Sequence, residues 1–259
     1  MLFQSLLSEG SVERGGYDVE QIHVTLQETL QREPFERAWT LFVRRHPALS
    51  ACFRWEGLPA AEQRPVFDVR VPVVFTDWSG VGEAQRDAQR QEFFERDRRL
   101  GFDLRQAPLM RVHVFELGPQ ATEVVWTVHH ILLDGRSFAP ALLDVFGIYE
   151  RLLRGEQPEL SVSGRPYADY IAWLEARSYR TSLPFFKHLL AGKHAPTPLP
   201  LAEPAARPLP RNGASHGHVV RQLDAAVAER ARQFARDTGA GMGAFVQGAF
   251  ALVLSRLTG

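Results

Sequence analysis

The chain has 259 residues, of which 45% are hydrophobic, 10% aromatic and 23% charged, a composition typical of a folded globular protein rather than a disordered or fibrous one. Thirty basic and thirty acidic residues cancel to a formal net charge of zero, so we expect no general attraction to nucleic acid or to anionic lipid. The single cysteine, Cys52, excludes an internal disulfide and is typical of a reducing cytoplasm.

The first predicted elements are a strand and a helix. Apolar and polar residues alternate from Ile22 to Leu26, which predicts a strand with one buried face. Pro34 opens a helix that ends before Pro47, because the residue preceding a proline avoids helical geometry. The next predicted elements are strands over 49–55 and 67–71 and a polar helix over 83–99.

Residues 110–128 predict a hairpin with a turn at Gly118 and Pro119. Its second strand is apolar at nearly every position, which is typical of a central strand covered on both faces. An apolar helical stripe follows from residue 138 to 152, with Ser137 as the predicted N-cap. The remaining predicted elements are helices over 167–177, 184–190, 224–236 and 242–257, a strand over 218–220, and core positions for Trp39, Trp126 and Trp173.

The composition changes near residue 196, and six of the residues from 196 to 210 are prolines. This stretch predicts a crossing at 196–211 between an N-terminal lobe at 1–195 and the incomplete start of a second lobe at 212–259. We find no secretion signal and no apolar run of the ~20 residues that span a bilayer. We therefore expect a cytoplasmic protein that inserts in no membrane.

His129, His130, Asp134 and Gly135 stand where the predicted central strand gives way to a helix. Histidine can exchange a proton near neutral pH. Because neighbouring strand residues face opposite sides, His129 is the more structural of the pair, and His130 can enter a cleft. Asp134 can hold the shape of the loop, and Gly135 permits a positive φ or a close backbone approach.

Four other interpretations of these and nearby residues are weaker. Both histidines could be core residues, and a metal site would need a third ligand that is not nearby. The segment 135–139 lacks the final glycine of a serine hydrolase's nucleophile elbow. The glycine-rich segment 239–243 follows helical sequence rather than a strand, which favours a connection between helices over a phosphate-binding loop.

The pattern His129-His130-x-x-x-Asp134-Gly135 resembles the signature of the condensation domains of non-ribosomal peptide synthetases, which belong to the chloramphenicol-acetyltransferase-like acyltransferases. Further segments resemble motifs of the same family in the same order along the chain: residues 1–8, 45–49, 102–111, 167–173, 185–192 and 254–259. The resemblance implies an α/β fold, a two-layer sandwich lobe with a mixed sheet, followed by the beginning of a second similar lobe.

Two departures from the family pattern stand out. Ser50 and Ala51 occupy positions that are usually arginine and threonine. That arginine serves an internal ionic contact, for which Arg54 or Arg111 would have to substitute here. The resemblance also implies a longer parent with two lobes, cut at both ends in this chain. On this view the 259-residue chain alone is inactive and exposes the apolar face of its last helix.

The resemblance implies an acyltransferase that forms amide bonds between aminoacyl or peptidyl thioesters. His130 is the expected catalytic residue, acting as a general base or as an electrostatic group; His129, Asp134 and Gly135 support it. No cofactor or metal is expected to bind directly. Expected partners are donor and acceptor peptidyl-carrier domains with phosphopantetheine arms, and an adenylation domain in the same polypeptide. A CoA-dependent acyltransferase and a non-catalytic module that recruits partner proteins remain alternatives.

Overall fold

A computed structural model describes residues 18–158, 165–192 and 221–258. Its strands are β1 (Val19–Leu26), β2 (Ala51–Arg54), β3 (Glu62–Pro65), β4 (Val73–Asp77), β5 (Met110–Gly118) and β6 (Ala121–His129). Its α-helices are α1 (Arg32–Arg45), α2 (Glu83–Leu100), α3 (Phe138–Leu153), α4 (Tyr167–Glu175), α5 (Leu183–Leu189), α6 (Ala225–Asp237) and α7 (Met242–Thr258). Short 3₁₀ turns cover Pro47–Ser50 and Tyr179–Thr181.

The main sheet has the strand order β1-β6-β5-β4. β6 pairs antiparallel with both β1 and β5, whereas β4 and β5 run parallel. The mixed sheet and the hairpin of β5 and β6 confirm the predicted α/β fold. Residues 122–129 of β6 are all buried, because β6 has a strand on each side and helices above and below.

The two faces of the sheet carry different helices. On one face, Trp126 packs against Trp39 of α1, with ring centroids 5.3 Å apart, in a core that also includes Val145 of α3. On the other face, Val125 packs in a cluster with Phe93 of α2. Neighbouring residues of β6 thus enter opposite cores, as strand geometry requires.

Two predictions from the pattern of apolar residues are wrong. Residues 67–71 form no strand, because Asp68 takes a φ of 57° and interrupts the extended backbone; the strand begins instead at Val73. Trp173 lies on α4 with 49% of its surface exposed, whereas Trp39 and Trp126 are fully buried as predicted.

The chain divides into two compact units, residues 1–177 and 178–259. Within the second unit, α6 and α7 pack together, with the rings of Phe234 and Phe245 5.7 Å apart. The predicted crossing at 196–211 and the predicted strand at 218–220 lie outside the described residues, so the proposed lobe boundaries stay predictions. Among described residues, no single helix suits a membrane span, although the bent pair α6 and α7 passes by length and composition alone.

Candidate active site

The strand β6 ends at His129 and sends its two histidines to different places. His129 continues the alternation of Val125 and Thr127 and is only 5% exposed. Its Nδ1 accepts a hydrogen bond of 3.1 Å from the backbone N–H of Ile131, and burial lowers the pKa of His129 to about 4. The ring is therefore neutral near pH 7 and holds the start of the loop.

His130 lies where the strand has ended, and it is half-buried in the wall of a cavity. Its Nδ1 is 2.5 Å from the backbone oxygen of Leu133. Because a carbonyl oxygen can only accept a hydrogen bond, the neutral ring carries its proton on Nδ1. The lone pair is then on Nε2, which gives the imidazole a proton-accepting nitrogen with a fixed orientation.

Asp134 closes the loop that follows. Its Oδ1 accepts hydrogen bonds from the backbone N–H of Ser137 at 3.0 Å and from the Ser137 hydroxyl at 2.6 Å. The hydrogen bond from the Ser137 side chain lowers the pKa of Asp134. Ser137 is the N-cap residue of α3, as predicted, but its hydroxyl makes no capping bond to the helix backbone. Asp134 instead fixes this residue from the preceding turn, because its carboxylate and its backbone oxygen both accept from the Ser137 N–H, each at 3.0 Å.

Gly135 does not have the conformation that the sequence suggested. Its φ is not positive, and a Cβ added there would meet nothing within 4 Å. Neither a left-handed backbone nor a close contact within the described chain therefore requires glycine at this position. The missing side chain instead leaves open space on the exposed turn between His130 and α3.

Arg111, one of the two arginines that could replace the family's arginine, makes a buried ion pair with Asp97. Arg111 donates from Nε to Oδ1 of Asp97 at 2.5 Å and from Nη1 to the Gly101 oxygen at 2.8 Å. Arg54 is exposed at the end of β2. Ser50, at the family's arginine position, is buried and donates its hydroxyl proton to the Pro47 oxygen at 2.9 Å.

The cavity beside His130 has a volume of about 950 Å³. Its walls come from the end of α1 and the turn that follows, from β3, from the loop after β6, from α3 and from the start of α4. Its polar and charged lining residues are Arg45, His46, Gln63, His130, Asp134, Arg136, Ser137, Asp144 and Tyr167.

An ion-pair cluster forms one wall of this cavity. Asp144 of α3 accepts from Arg45 Nη1 at 2.8 Å on one oxygen and lies 2.8 Å from His46 Nε2 on the other. The sequence motifs assigned no chemical role to His46 and did not point to Asp144. The sequence feature that could have pointed to Asp144 is the position of its carboxylate beside the apolar stripe of α3. An unpaired charge there is costly, so a partner is expected.

Within the described ranges, no group of three or more His, Cys, Asp or Glu residues could hold a metal ion. The charged and titratable side chains that line the cavity are imidazoles, carboxylates, arginines and one tyrosine. The geometry combines an oriented imidazole, a loop closed by a carboxylate and a cavity large enough for an extended substrate.

Comparison with known proteins identifies the family of this site. A family model described as the condensation domain matches residues 8–259. One of the linear gramicidin synthase subunits of Brevibacillus parabrevis is 33% identical over 261 residues, covering 100% of this chain and 3% of the relative. Bacitracin synthase 1 of Bacillus licheniformis is 29% identical over 200 residues, covering 77% of this chain and 4% of the relative.

Solved structures show the same fold. The first condensation domain of the calcium-dependent antibiotic synthetase, in complex with a substrate analogue, superposes with a TM-score of 0.71 at 22% identity, covering 99% of this chain and 60% of that one. VibH, described as a condensation enzyme, has a TM-score of 0.65 at 22% identity, with 97% and 57% covered. The chain spans 3% to 5% of the length of the linear gramicidin synthase subunits.

Proposed function

The chain belongs to the condensation-domain family, and on that premise we propose that it takes part in forming amide bonds between acyl groups held as thioesters. The proposal rests on the position of His130. Its imidazole is oriented by the Leu133 oxygen and lies in the wall of a cavity of about 950 Å³. The match to the condensation domain and the relatives named as linear gramicidin and bacitracin synthases support an amine as the acceptor.

In the proposed reaction, the neutral amine of the acceptor attacks the thioester carbonyl of the donor. The new C–N bond leaves a positive charge on nitrogen and a negative charge on oxygen. Nε2 of His130 accepts the proton from that nitrogen, because its lone pair is free while Nδ1 donates to Leu133. The C–S bond then breaks, and the proton passes to the departing thiolate, which leaves as a thiol.

This assignment favours the general-base role of His130 over a purely electrostatic one. In its neutral form the imidazole has no N–H on Nε2 to donate to the oxygen of the tetrahedral centre. Asp134 and His129 contribute by holding the loop on either side of His130. We expect positioning of the two thioesters to supply much of the rate gain.

We propose that the substrates arrive on phosphopantetheine arms of a donor and an acceptor carrier domain, and that an adenylation domain in the same polypeptide loads them. The great length of the matched synthases supports such neighbours. No cofactor need bind to the chain itself in this scheme. We also propose that the reaction takes place in the cytoplasm, where the lone buried Cys52 would stay reduced.

The test is a condensation assay with carrier-loaded donor and acceptor, using the natural polypeptide that contains this chain. We expect His130→Ala to lower the rate of amide formation by about 10²–10⁴-fold, the range for loss of a general base. His23→Ala is the matched control, because the His23 ring also contacts an oxygen acceptor, a carboxylate oxygen of Glu123, but lies outside the cavity. Undiminished product from His130→Ala would disprove the assignment.

Two other results would assign a different function. Turnover of free acyl-CoA without any carrier would make the chain part of a CoA-dependent acyltransferase. Binding of a partner enzyme, together with no condensation by the wild type, would make it a recruiting module. Both assays use the same preparations, so the three outcomes are directly comparable.

A further inference from the structure

A second imidazole lines the cavity that contains His130. His46 follows the last residue of α1, and its Nε2 lies 2.8 Å from Oδ2 of Asp144. Because a carboxylate oxygen accepts hydrogen bonds, the neutral ring of His46 carries its proton on Nε2 and has its lone pair on Nδ1. Nδ1 has no hydrogen-bond partner among the described residues, and 34% of the side chain is exposed.

Both carboxylate oxygens of Asp144 have hydrogen-bond partners. Arg45 Nη1 donates to Oδ1 at 2.8 Å, while His46 holds Oδ2. A carboxylate that orients a histidine while the other ring nitrogen stays free is the arrangement by which proteins prepare a general base. The cavity thus contains two imidazoles, each oriented by an oxygen acceptor and each with one nitrogen that the described part of the chain leaves without a hydrogen-bond partner.

The surroundings of His46 define its electrostatic environment. Asp144 pairs with its ring, Arg45 pairs with the same carboxylate, and Phe42 packs beside the ring with centroids 5.1 Å apart. The other charged and titratable groups that line the same cavity are His130, Asp134, Arg136 and Tyr167. The opposite charges of Arg45 and Asp144 offset each other, so the ion pair beside His46 carries no net charge.

Amide formation has to dispose of two protons when the acceptor arrives as an ammonium ion. One is lost before attack, to give the neutral amine, and one is lost from nitrogen after the C–N bond forms. The departing thiolate takes up only one of them, so the other has to reach solvent. In the proposed scheme His130 Nε2 accepts the proton that is lost after the C–N bond forms, so no side chain has yet been assigned to the first proton.

We infer that His46 is a second proton acceptor of this site: its Nδ1 removes a proton from the acceptor's ammonium group and releases it to solvent. The step converts R–NH₃⁺ and neutral His46 into R–NH₂ and protonated His46, which then returns to its neutral form by losing that proton to water. Asp144 is a positioning residue that keeps Nδ1 directed away from α3. The inference depends on the proposed amide-bond formation.

The test compares His46→Gln with the wild type in the carrier-loaded condensation assay, near pH 7 and near pH 9. Glutamine can still donate to Asp144, so the ion-pair cluster keeps its geometry. An α-amino group has a pKa of about 8, so only about a tenth of it is neutral near pH 7. We expect His46→Gln to be about 10-fold slower near pH 7 and within about 2-fold of the wild type near pH 9, where the amine is already neutral.

A purely structural role for His46 predicts a different result. The rate would then fall by the same factor at both pH values, and that outcome, or no change at either, would overturn the inference. Absence of product from the wild type would instead reject the proposed function, so the two failures are distinguishable. His23→Gln is the control, because His23 pairs with Glu123 and is 32% exposed but does not line the cavity.

A second variant distinguishes the loss of a proton acceptor from the loss of folding. His46→Ala, with its thermal unfolding compared with that of the wild type, is assayed near pH 7 with and without added imidazole. We expect added imidazole to restore a measurable part of the lost rate, because it supplies the missing proton acceptor in the space left by the side chain. A folded variant that imidazole does not rescue would count against His46 as a proton acceptor.

Discussion

The two neighbouring histidines have opposite environments because they stand at the end of a strand. His129 still obeys the alternation of β6 and is buried, whereas His130 follows the last strand residue and reaches the cavity. Burial lowers the pKa of His129 to about 4, so this ring cannot act as a cation near neutral pH. The end of β6 thus separates a buried imidazole from one that reaches the cavity, although the two residues are adjacent in sequence.

The buried state of His129 predicts a pH dependence of stability. The folded-state pKa of about 4 lies below the ordinary value of 6.5. The unfolded chain therefore binds more protons in this range, and the folded state loses stability as the pH falls from 6.5 towards 4. We expect the contribution of His129 to fall by about 2 kcal/mol between about pH 7 and about pH 4.5.

Urea unfolding of wild type and His129→Gln at these two pH values checks the prediction. Glutamine does not titrate and can accept the hydrogen bond from Ile131, so the free energy of unfolding of the variant should change less over this range. Equal changes for the two proteins would mean that His129 is not held in its neutral form by burial.

At the scale of elements, helix α2 is tied to the sheet by a buried carboxylate. Asp97 is 4% exposed and accepts hydrogen bonds from Arg111 at 2.5 Å, Thr127 at 2.6 Å and Gln21 at 2.8 Å. Burial alone would raise the pKa of Asp97, but the hydrogen bonds from Arg111 and Thr127 outweigh it and lower the pKa. One side chain thus joins α2 to β1, β5 and β6.

Asp97→Asn should therefore destabilise the fold strongly. The substitution leaves the Arg111 guanidinium, whose side chain is 11% exposed, without its buried counter-charge. We expect the free energy of unfolding to fall by about 3–5 kcal/mol, the usual effect of breaking a buried ion pair.

Asp87→Asn on the same helix is the matched control for Asp97→Asn. Asp87 also pairs with an arginine, Arg90, but its side chain is 67% exposed, so we expect a change of about 1 kcal/mol or less. Chemical denaturation of the three proteins gives the comparison. Similar losses for the two variants would show that Asp97 does not anchor α2.

Sequence periodicity predicted the local elements well, because each depends on residues close together in the chain. The hairpin, α1 and α3 lie where the spacing of apolar residues placed them, and α2 lies where the polar composition of residues 83–99 predicted a helix. The cluster of Arg45, His46 and Asp144 could not be predicted this way, since Asp144 is 99 and 98 residues from its two partners in sequence. The prediction that Trp173 is a core residue was wrong for a related reason: an apolar stripe on a helix has the same spacing whether other elements cover it or leave it exposed.

At the scale of the whole molecule, the two units differ in how they bury apolar side chains. In the first unit the sheet and its helices enclose large side chains such as Trp39 and Trp126 completely. In the second unit, α7 has no buried residue. Its side chains at positions i, i+4, i+7 and i+11 form an exposed apolar face: Val246, Phe250, Val253 and Leu257, each between 54% and 63% exposed.

The exposed face of α7 predicts that the isolated 259-residue chain self-associates. Contiguous apolar surface of this kind favours association, because burying it removes about 25 cal/mol for every Å² taken from water. Sedimentation or light scattering should show oligomers whose fraction grows with concentration. Phe250→Ser together with Val253→Ser should lower that fraction, whereas Leu143→Ser, at a 75% exposed position on α3, should not. A wild-type chain that stays monomeric at high concentration would refute the prediction, because the face would then have to be covered within the chain.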